Sequence, residues 1–115
     1  MIVREIVQAL GLELVAGSAG LERELTGGYC ADMLSCVMAR AKSGNVWLTL
    51  QAHLNVIAVA TMLDLGAVII TEGAPIADDV IAKANSENVV LLATPRTTFW
   101  VVGELTKLGI KAQET

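Results

Sequence analysis

Four short segments of this chain combine residue types that proteins use to bind small anions. They contain threonine hydroxyls, glycine backbone, the single histidine and one arginine. The site residues predicted from them are Thr26, Gly27, Gly28, His53, Thr71, Gly73, Thr94, Arg96, Thr97 and Thr98. Hydroxyl groups, the free N–H groups of a helix start and a guanidinium can together hold a phosphate or a carboxylate. These segments therefore predict a binding site for a small anionic metabolite or a nucleotide.

The segment TPRTT, residues 94–98, carries the strongest of these signals. Thr97 or Thr98 can cap a helix, and Arg96 adds a fixed positive charge beside the free N–H groups of that helix start. A structural alternative stays open, in which the proline stiffens a loop and Arg96 pairs with Glu72 or another acid. The anion site and the ion pair are therefore the two interpretations of this segment.

Catalysis is the second hypothesis for the same set of residues. The motifs GxGxxG and GxxxxGK[ST] are both absent, which excludes ATP chemistry through a P-loop and leaves Gly27-Gly28 as a bend or a cradle. A small transferase-like enzyme would use Cys30 as nucleophile, His53 as its base and Arg96 as an anion clamp. No residue near Cys30 in the sequence lowers its pKa, as a thiolate nucleophile requires. We therefore assign no catalytic residue and expect the chain not to be an enzyme.

Metal and redox chemistry find little support in the sequence. Positions at helical spacing from His53, the only histidine, offer no good metal ligand: they are Thr49, Leu50, Val56 and Ile57. Cys30 and Cys36 form neither a disulfide framework nor a CxxC redox pair. We expect no metal, no cofactor and free thiols in the cytoplasm. An accessory subunit of a redox enzyme is a third possibility, suggested only by the two thiols.

Composition limits the partners that this chain can have. Apolar residues make up 54% and charged residues 17%, against about 25% charged in typical globular proteins. This excess predicts a homo-oligomer, with a dimer favoured. The net charge of −4 and the lack of a basic run argue against a nucleic-acid partner. The longest uncharged stretch, residues 43–63, is too interrupted by polar residues to span a membrane.

The hydrophobic pattern predicts the elements that position these segments. Apolar strands starting at Val46, Ala67 and Val89 recur at offsets of 21 and 22 residues, and each is followed by a helix. Such βα units pair in parallel, and strands without alternation are typical of a sheet covered on both faces. The prediction is a three-layer α/β/α domain with a mostly parallel sheet. The site residues should then gather at the carboxyl ends of the strands.

Five finer predictions accompany this fold. Asp32 is expected to cap the second helix, and Gly11 to end the first. The segment HLNVIAVATMLDL, residues 53–65, is apolar almost all round, which predicts burial on two sides and a subunit contact. The polar tail, residues 111–115, is expected to be frayed. The last helix is expected to carry Phe99, Val102 and Leu105 on one side.

Three stretches resemble a DRTGG domain: LERELTGGYCADMLSCVMARA, NVWLTLQAHLNVIAVATMLDLGAVIITEG and LLATPRTTFWVVGEL. The resemblance covers about residues 12–110. The residues that give the family its name are present as Glu22-Arg23 and Thr26-Gly27-Gly28, separated by Glu24-Leu25, with Glu in place of Asp. The order and flanking pattern carry the resemblance more than the pentapeptide does.

This resemblance implies an accessory module rather than an enzyme. DRTGG domains are similar to the N-terminal, non-catalytic part of bacterial HPr kinase/phosphorylase, and they occur beside CBS domain pairs and in phosphotransacetylase-like proteins. Their fold is an α/β/α fold related to the first domain of Mur ligases. The kinase's P-loop has no counterpart here. We therefore hypothesise one domain, residues 1–115, that is regulatory, self-associates and binds a small anion.

Overall fold

One sheet of five strands forms the centre of the molecule. The computed structural model describes residues 1–114. The strands are β1 Glu13–Ala16, β2 Gly27–Cys30, β3 Asn45–Thr49, β4 Ala67–Ile70 and β5 Leu91–Ala93. Their order across the sheet is β1-β5-β4-β3-β2; β2 to β5 are parallel and β1 is antiparallel to β5. The predicted, mostly parallel sheet is thus confirmed.

Helices cover both faces of this sheet. They are α1 Val3–Leu10, α2 Leu34–Arg40, α3 Leu54–Met62, α4 Asp78–Ser86 and α5 Thr98–Lys107. One buried apolar cluster joins the sheet to α2, α3 and α4, and a second joins it to α1 and α5. Trp47 belongs to the first cluster, whereas its neighbours Val46 and Leu48 belong to the second. The strands are continuously apolar because alternate residues enter different cores, and the three-layer prediction is confirmed.

The segment predicted to be buried on two sides is buried on one side within the chain. Val56, Ile57 and Ala60 of α3 pack against the sheet. Leu54 and Met62 on the same helix are 46% and 61% exposed. The outer side of α3, on which the polar Asn55 and Thr61 are also exposed, is therefore uncovered in the single chain, and a subunit contact there stays a prediction.

The buried side of α5 is not the side that carries Phe99, Val102 and Leu105 together. Val101 and Leu105 are buried, whereas Phe99 is 89% exposed. Residues three or four apart share a helix face. Residues 101 and 105 therefore form one apolar stripe, and residues 99, 102 and 105 form another. Both stripes are apolar and both contain Leu105, so periodicity could not separate them.

The predicted fraying of the tail is wrong for residues 111–113, which we call the strap. The strap lies along the outer edge of β2, where the Gly28 N–H donates to the Lys111 carbonyl oxygen at 3.0 Å. Ala112 forms a parallel bridge with Gly28, and Asn45 Nδ2 donates to Gln113 Oε1 at 2.9 Å. The strap thus extends the sheet beyond β2. Across residues 1–114, no helix is long and apolar enough to cross a membrane.

Candidate functional site

The helices change sides of the sheet at the carboxyl ends of β4 and β5. After β4 the chain enters α4, in the layer of α2 and α3, whereas after β5 it enters α5, in the layer of α1. Open α/β sheets bind ligands at such a switch point because the two loops diverge there. We call the surface formed by these two loops and the start of α5 the crevice. Six of the predicted site residues lie in these two loops or at the first residue of α5: Thr71, Gly73, Thr94, Arg96, Thr97 and Thr98.

Hydrogen bonds join the two loops. The hydroxyls of Thr71 and Thr98 are 2.5 Å apart, and the Gly73 N–H donates to the Thr94 carbonyl oxygen at 3.0 Å. The Arg96 N–H donates to Thr94 Oγ1 at 3.2 Å. Thr71 and Thr94 are buried, and these contacts satisfy their polar groups. The structure therefore brings the two threonines to one edge of the sheet, as predicted.

Glu72 occupies the amino end of α5. Its Oε2 accepts the Thr98 N–H at 2.7 Å, and its own N–H donates to the Arg96 carbonyl oxygen at 2.9 Å. Thr97 Oγ1 accepts the Trp100 N–H at 3.2 Å and so caps the same helix. A carboxylate is stable here because the free N–H groups and the helix dipole attract negative charge. The sequence analysis did not predict that Glu72 caps α5. The feature that indicated this role is the position of an acidic residue directly after Thr71, at the end of a strand.

Arg96 does not pair with Glu72. Within residues 1–114 its guanidinium takes part in no ion pair, and its Cζ lies 3.8 Å from the centroid of the Trp100 ring. The alternative in which Arg96 is neutralised by that acid is thus not the arrangement observed. The contact of the exposed guanidinium with the ring restricts its position. The guanidinium can therefore receive an anion.

Thr26, Gly27 and Gly28 lie at the opposite end of the sheet. Gly27 begins β2 and pairs with Asn45, the first residue of β3. The prediction that these residues share an edge with Thr71 is therefore wrong. Sequence pattern indicated an extended segment, but only the register with β3 decides which end of the strand they occupy.

The residues Thr26 and Gly27 instead hold the strap and a neighbouring loop. Thr26 Oγ1 donates to the Ser43 carbonyl oxygen at 2.8 Å and accepts from Asn45 Nδ2 at 3.0 Å. A Cβ atom at Gly27 would lie 2.8 Å from the Lys111 carbonyl oxygen, closer than real side chains come. The double glycine thus permits a close backbone approach, which favours the structural interpretation over a ligand cradle.

Arg23 joins the same end of the sheet through Asp64, in the turn after α3. Its two terminal nitrogens donate to the two Asp64 carboxylate oxygens at 2.8 and 3.0 Å. Ser43 Oγ donates to Asp64 Oδ2 at 2.6 Å. The hydrogen bond from Arg23, and then that from Ser43, lowers the pKa of Asp64 to about 2. The residues behind the family resemblance thus connect the loops before β2, β3 and β4.

The thiol and the imidazole of the catalytic hypothesis are on different sides of the sheet. Cys30 faces the same side as Gly28, whose Cβ would contact Ile110 in the α1 and α5 layer at 3.2 Å. His53 precedes α3, in the other layer. Burial, and then the charge of Asp32, raises the pKa of the Cys30 thiol. Cys30 and His53 therefore do not form the nucleophile and general base that the catalytic hypothesis requires.

Asp32 has a different role from the predicted helix cap. Its Oδ1 accepts from Thr49 Oγ1 at 2.8 Å and from the Leu50 N–H at 3.0 Å, so it closes the end of β3. The N-cap of α2 is Met33, without a side-chain hydrogen bond. Among the described residues 1–114, no three His, Cys, Asp or Glu side chains are grouped so as to hold a metal ion.

Comparison with known proteins agrees with this architecture. One similar solved structure comprises the CBS and DRTGG domains of the regulatory region of Clostridium perfringens pyrophosphatase, complexed with the activator diadenosine tetraphosphate. Its TM-score is 0.73 at 16% identity, with 90% of this chain and 45% of that chain covered, so this chain spans less than half of it and the likeness concerns the fold. The comparison with curated proteins gave no match. The sequence profile of the DRTGG domain matches residues 5–108, and the chain therefore belongs to the DRTGG domain family.

Proposed function

We propose that this DRTGG domain is a non-catalytic regulatory module that binds a small anionic metabolite or nucleotide between the carboxyl ends of β4 and β5. The observation that carries the proposal is Arg96, held on Trp100 and without an acid partner in residues 1–114, at the point where α4 and α5 diverge. The similar pyrophosphatase region, which binds a nucleotide activator, supports a ligand of this class.

Binding at this crevice couples to the loop that leads to α4. Arg96 supplies charge-assisted hydrogen bonds to a phosphate or carboxylate. The Thr98 N–H is held by Glu72 in the absence of ligand, so an anion that reaches the start of α5 has to displace that carboxylate. Displacement removes one of the hydrogen bonds that hold the loop carrying Glu72 and Gly73 against the start of α5. A regulatory module needs such a link between a bound ligand and a movable segment.

A thermal-shift panel tests the binding site. A saturating anion at about 100 times its Kd stabilises the folded protein by about 2.7 kcal/mol, or about 10 °C in Tm for a domain of this size. We expect such a rise with at least one of ATP, ADP or pyrophosphate, and its loss in Arg96→Ala. Arg40→Ala is the matched control, since Arg40 is also exposed and without an ion pair in residues 1–114, at the far end of α2. An unchanged Tm across the panel would contradict the proposal.

We also propose that the domain self-associates through the outer side of α3. Leu54, Ala58 and Met62 lie four residues apart on one exposed side of this helix, which contains no charged residue. Met38 on the neighbouring α2 is 49% exposed. A small central residue between two apolar ones allows two such helices to approach closely. The low charge of the whole chain supports the same conclusion.

Sedimentation velocity at micromolar concentration tests self-association. We expect a dimer for the unmodified chain and a monomer for Met62→Lys, because two lysines would face each other across a twofold interface. Leu14→Lys is the control, since Leu14 is 37% exposed on the edge strand β1. A monomer at every concentration would remove this part of the proposal.

A further inference from the structure

One aromatic side chain at the proposed site has no structural partner that explains it. The chain has four aromatic residues, Tyr29, Trp47, Phe99 and Trp100. Trp47 is fully buried, Tyr29 packs against the first core, and Trp100 lies under Arg96 and against the second core. Phe99, in the first turn of α5, is 89% exposed. Its ring therefore contributes no burial to the fold of the single chain.

Phe99 lies three residues after Arg96 in the chain. It is the neighbour of Trp100, on whose ring the Arg96 guanidinium rests at 3.8 Å. A flat apolar surface and a positioned positive charge are thus presented within four consecutive residues, at the start of α5. A ligand that carries a planar ring and an anionic group in one molecule matches both features, whereas a simple anion uses only the second.

We infer that the crevice recognises a purine nucleotide, with the base stacked on Phe99 and the phosphates at Arg96. This inference rests on the proposed function and specifies its ligand class. Stacking on an aromatic side chain tolerates any base and improves with ring area, which favours purines over pyrimidines. Its typical strength corresponds to a gain of about 5- to 150-fold in affinity.

The charge around the crevice limits where the phosphates can sit. Glu72 lies at the start of α5 and is paired with the Thr98 N–H. Glu104, six residues after the first residue of α5, pairs with Lys107 at 3.4 Å. Arg96 is the cation on this edge that has no acid partner within residues 1–114. The phosphates are therefore directed to the Arg96 side, and the base lies over Phe99.

Calorimetric titration with ADP and with pyrophosphate, which lacks the nucleoside, separates stacking from anion binding. We expect the full chain to bind ADP about 5- to 150-fold more tightly than pyrophosphate. Phe99→Ala should remove this difference and leave the pyrophosphate affinity unchanged, whereas Phe99→Trp should keep it. Arg96→Ala should weaken both ligands. Leu50→Ala, which truncates another exposed apolar residue at 46% exposure, should change neither affinity.

Three results would overturn the inference. Equal affinities for ADP and pyrophosphate in the unmodified chain would reject base stacking and leave the anion site standing. A Phe99→Ala variant that keeps its preference for ADP but sediments as a smaller species would assign the ring to a protein contact. Binding of neither ligand would reject the inference together with the proposed function.

Discussion

Arg96 and Glu72 have opposite charges but do not pair with each other. Within residues 1–114, this separation leaves a free cation in the crevice for an anionic ligand. The arginine rests on Trp100, and the carboxylate takes the Thr98 N–H. Glu72 adopts a φ of 65°, which residues other than glycine rarely adopt. The carboxylate therefore holds a position that an external anion would otherwise fill, and its backbone conformation is an unfavourable one.

Replacing this carboxylate should strengthen anion binding. Glu72→Gln keeps the size of the side chain but removes the charge that competes with the ligand at α5. We expect pyrophosphate to bind about twofold to fivefold more tightly, as a typical helix-end charge effect implies, measured by calorimetry. Glu87→Gln, at the end of α4, is the control and should leave the affinity unchanged. Weaker binding by Glu72→Gln would show that the carboxylate helps the site.

The pair of Arg23 and Asp64 should make stability depend on acid pH. The pKa of Asp64 is lowered to about 2, so its contribution is complete above the unfolded value near 3.9 and is lost as pH falls through 2. Asp64→Asn should reduce stability at pH 7 by about 1 kcal/mol, a limit set by its exposure, or about 4 °C in Tm.

The measurement is a denaturation series from pH 7 to pH 2. The difference between the unmodified chain and Asp64→Asn should shrink as the pH falls from about 4 to about 2. Glu13→Gln, an exposed carboxylate on β1 without an ion pair in residues 1–114, should show no such pH-dependent difference. A difference that persists unchanged at pH 2 would refute the electrostatic explanation.

At the scale of elements, β2 depends on the strap beside it. The Gly28 N–H on its outer edge is paired with Lys111, and Gly27 leaves room for that backbone. An uncovered edge strand presents unpaired backbone groups that favour aggregation. The glycine pair of the family thus serves the architecture at the end of the sheet that is remote from Arg96.

Adding one methyl group at Gly27 should displace the strap. In Gly27→Ala the new Cβ would meet the Lys111 carbonyl oxygen at 2.8 Å, so the strap has to move. We expect faster tryptic cleavage after Lys111 and loss of hydrogen-exchange protection at Gly28. Gly103→Ala is the matched control: its Cβ meets nothing within 4 Å, and it should stabilise α5 by up to about 1 kcal/mol. Equal cleavage in both variants would disprove the role of Gly27.

At the scale of the whole molecule, two apolar cores on the two faces of the sheet account for the folded chain, and the outer side of α3 contributes to neither. If two copies pair through α3, folding and association are linked, and Tm should rise with protein concentration. Scanning calorimetry across a hundredfold range of concentration measures this rise, which Met62→Lys should abolish. A Tm independent of concentration in the unmodified chain would indicate a monomer.

Much of this architecture could be predicted from the sequence. The strands starting near Val46, Ala67 and Val89, the helices between them and the shared edge of Thr71 and Thr94 all followed from local patterns. Such patterns suffice because apolar periodicity reports burial within a few residues, and parallel βα units allow few arrangements. Six of the ten predicted site residues accordingly came together in two adjacent loops.

Tertiary structure alone decided the details that depend on distant partners. Glu72 meets Thr98 across 26 residues, and Arg23 meets Asp64 across 41. The register of β2 with β3 places Gly27 and Gly28 at the end of the sheet remote from Arg96. Packing against the sheet buries the side of α5 that carries Val101 and leaves Phe99 exposed. The hydrophobic pattern does not determine the register between two strands, nor which of two apolar stripes on a helix packs against the sheet. The strand register and the buried side of α5 are determined by contacts between residues that are far apart in the sequence.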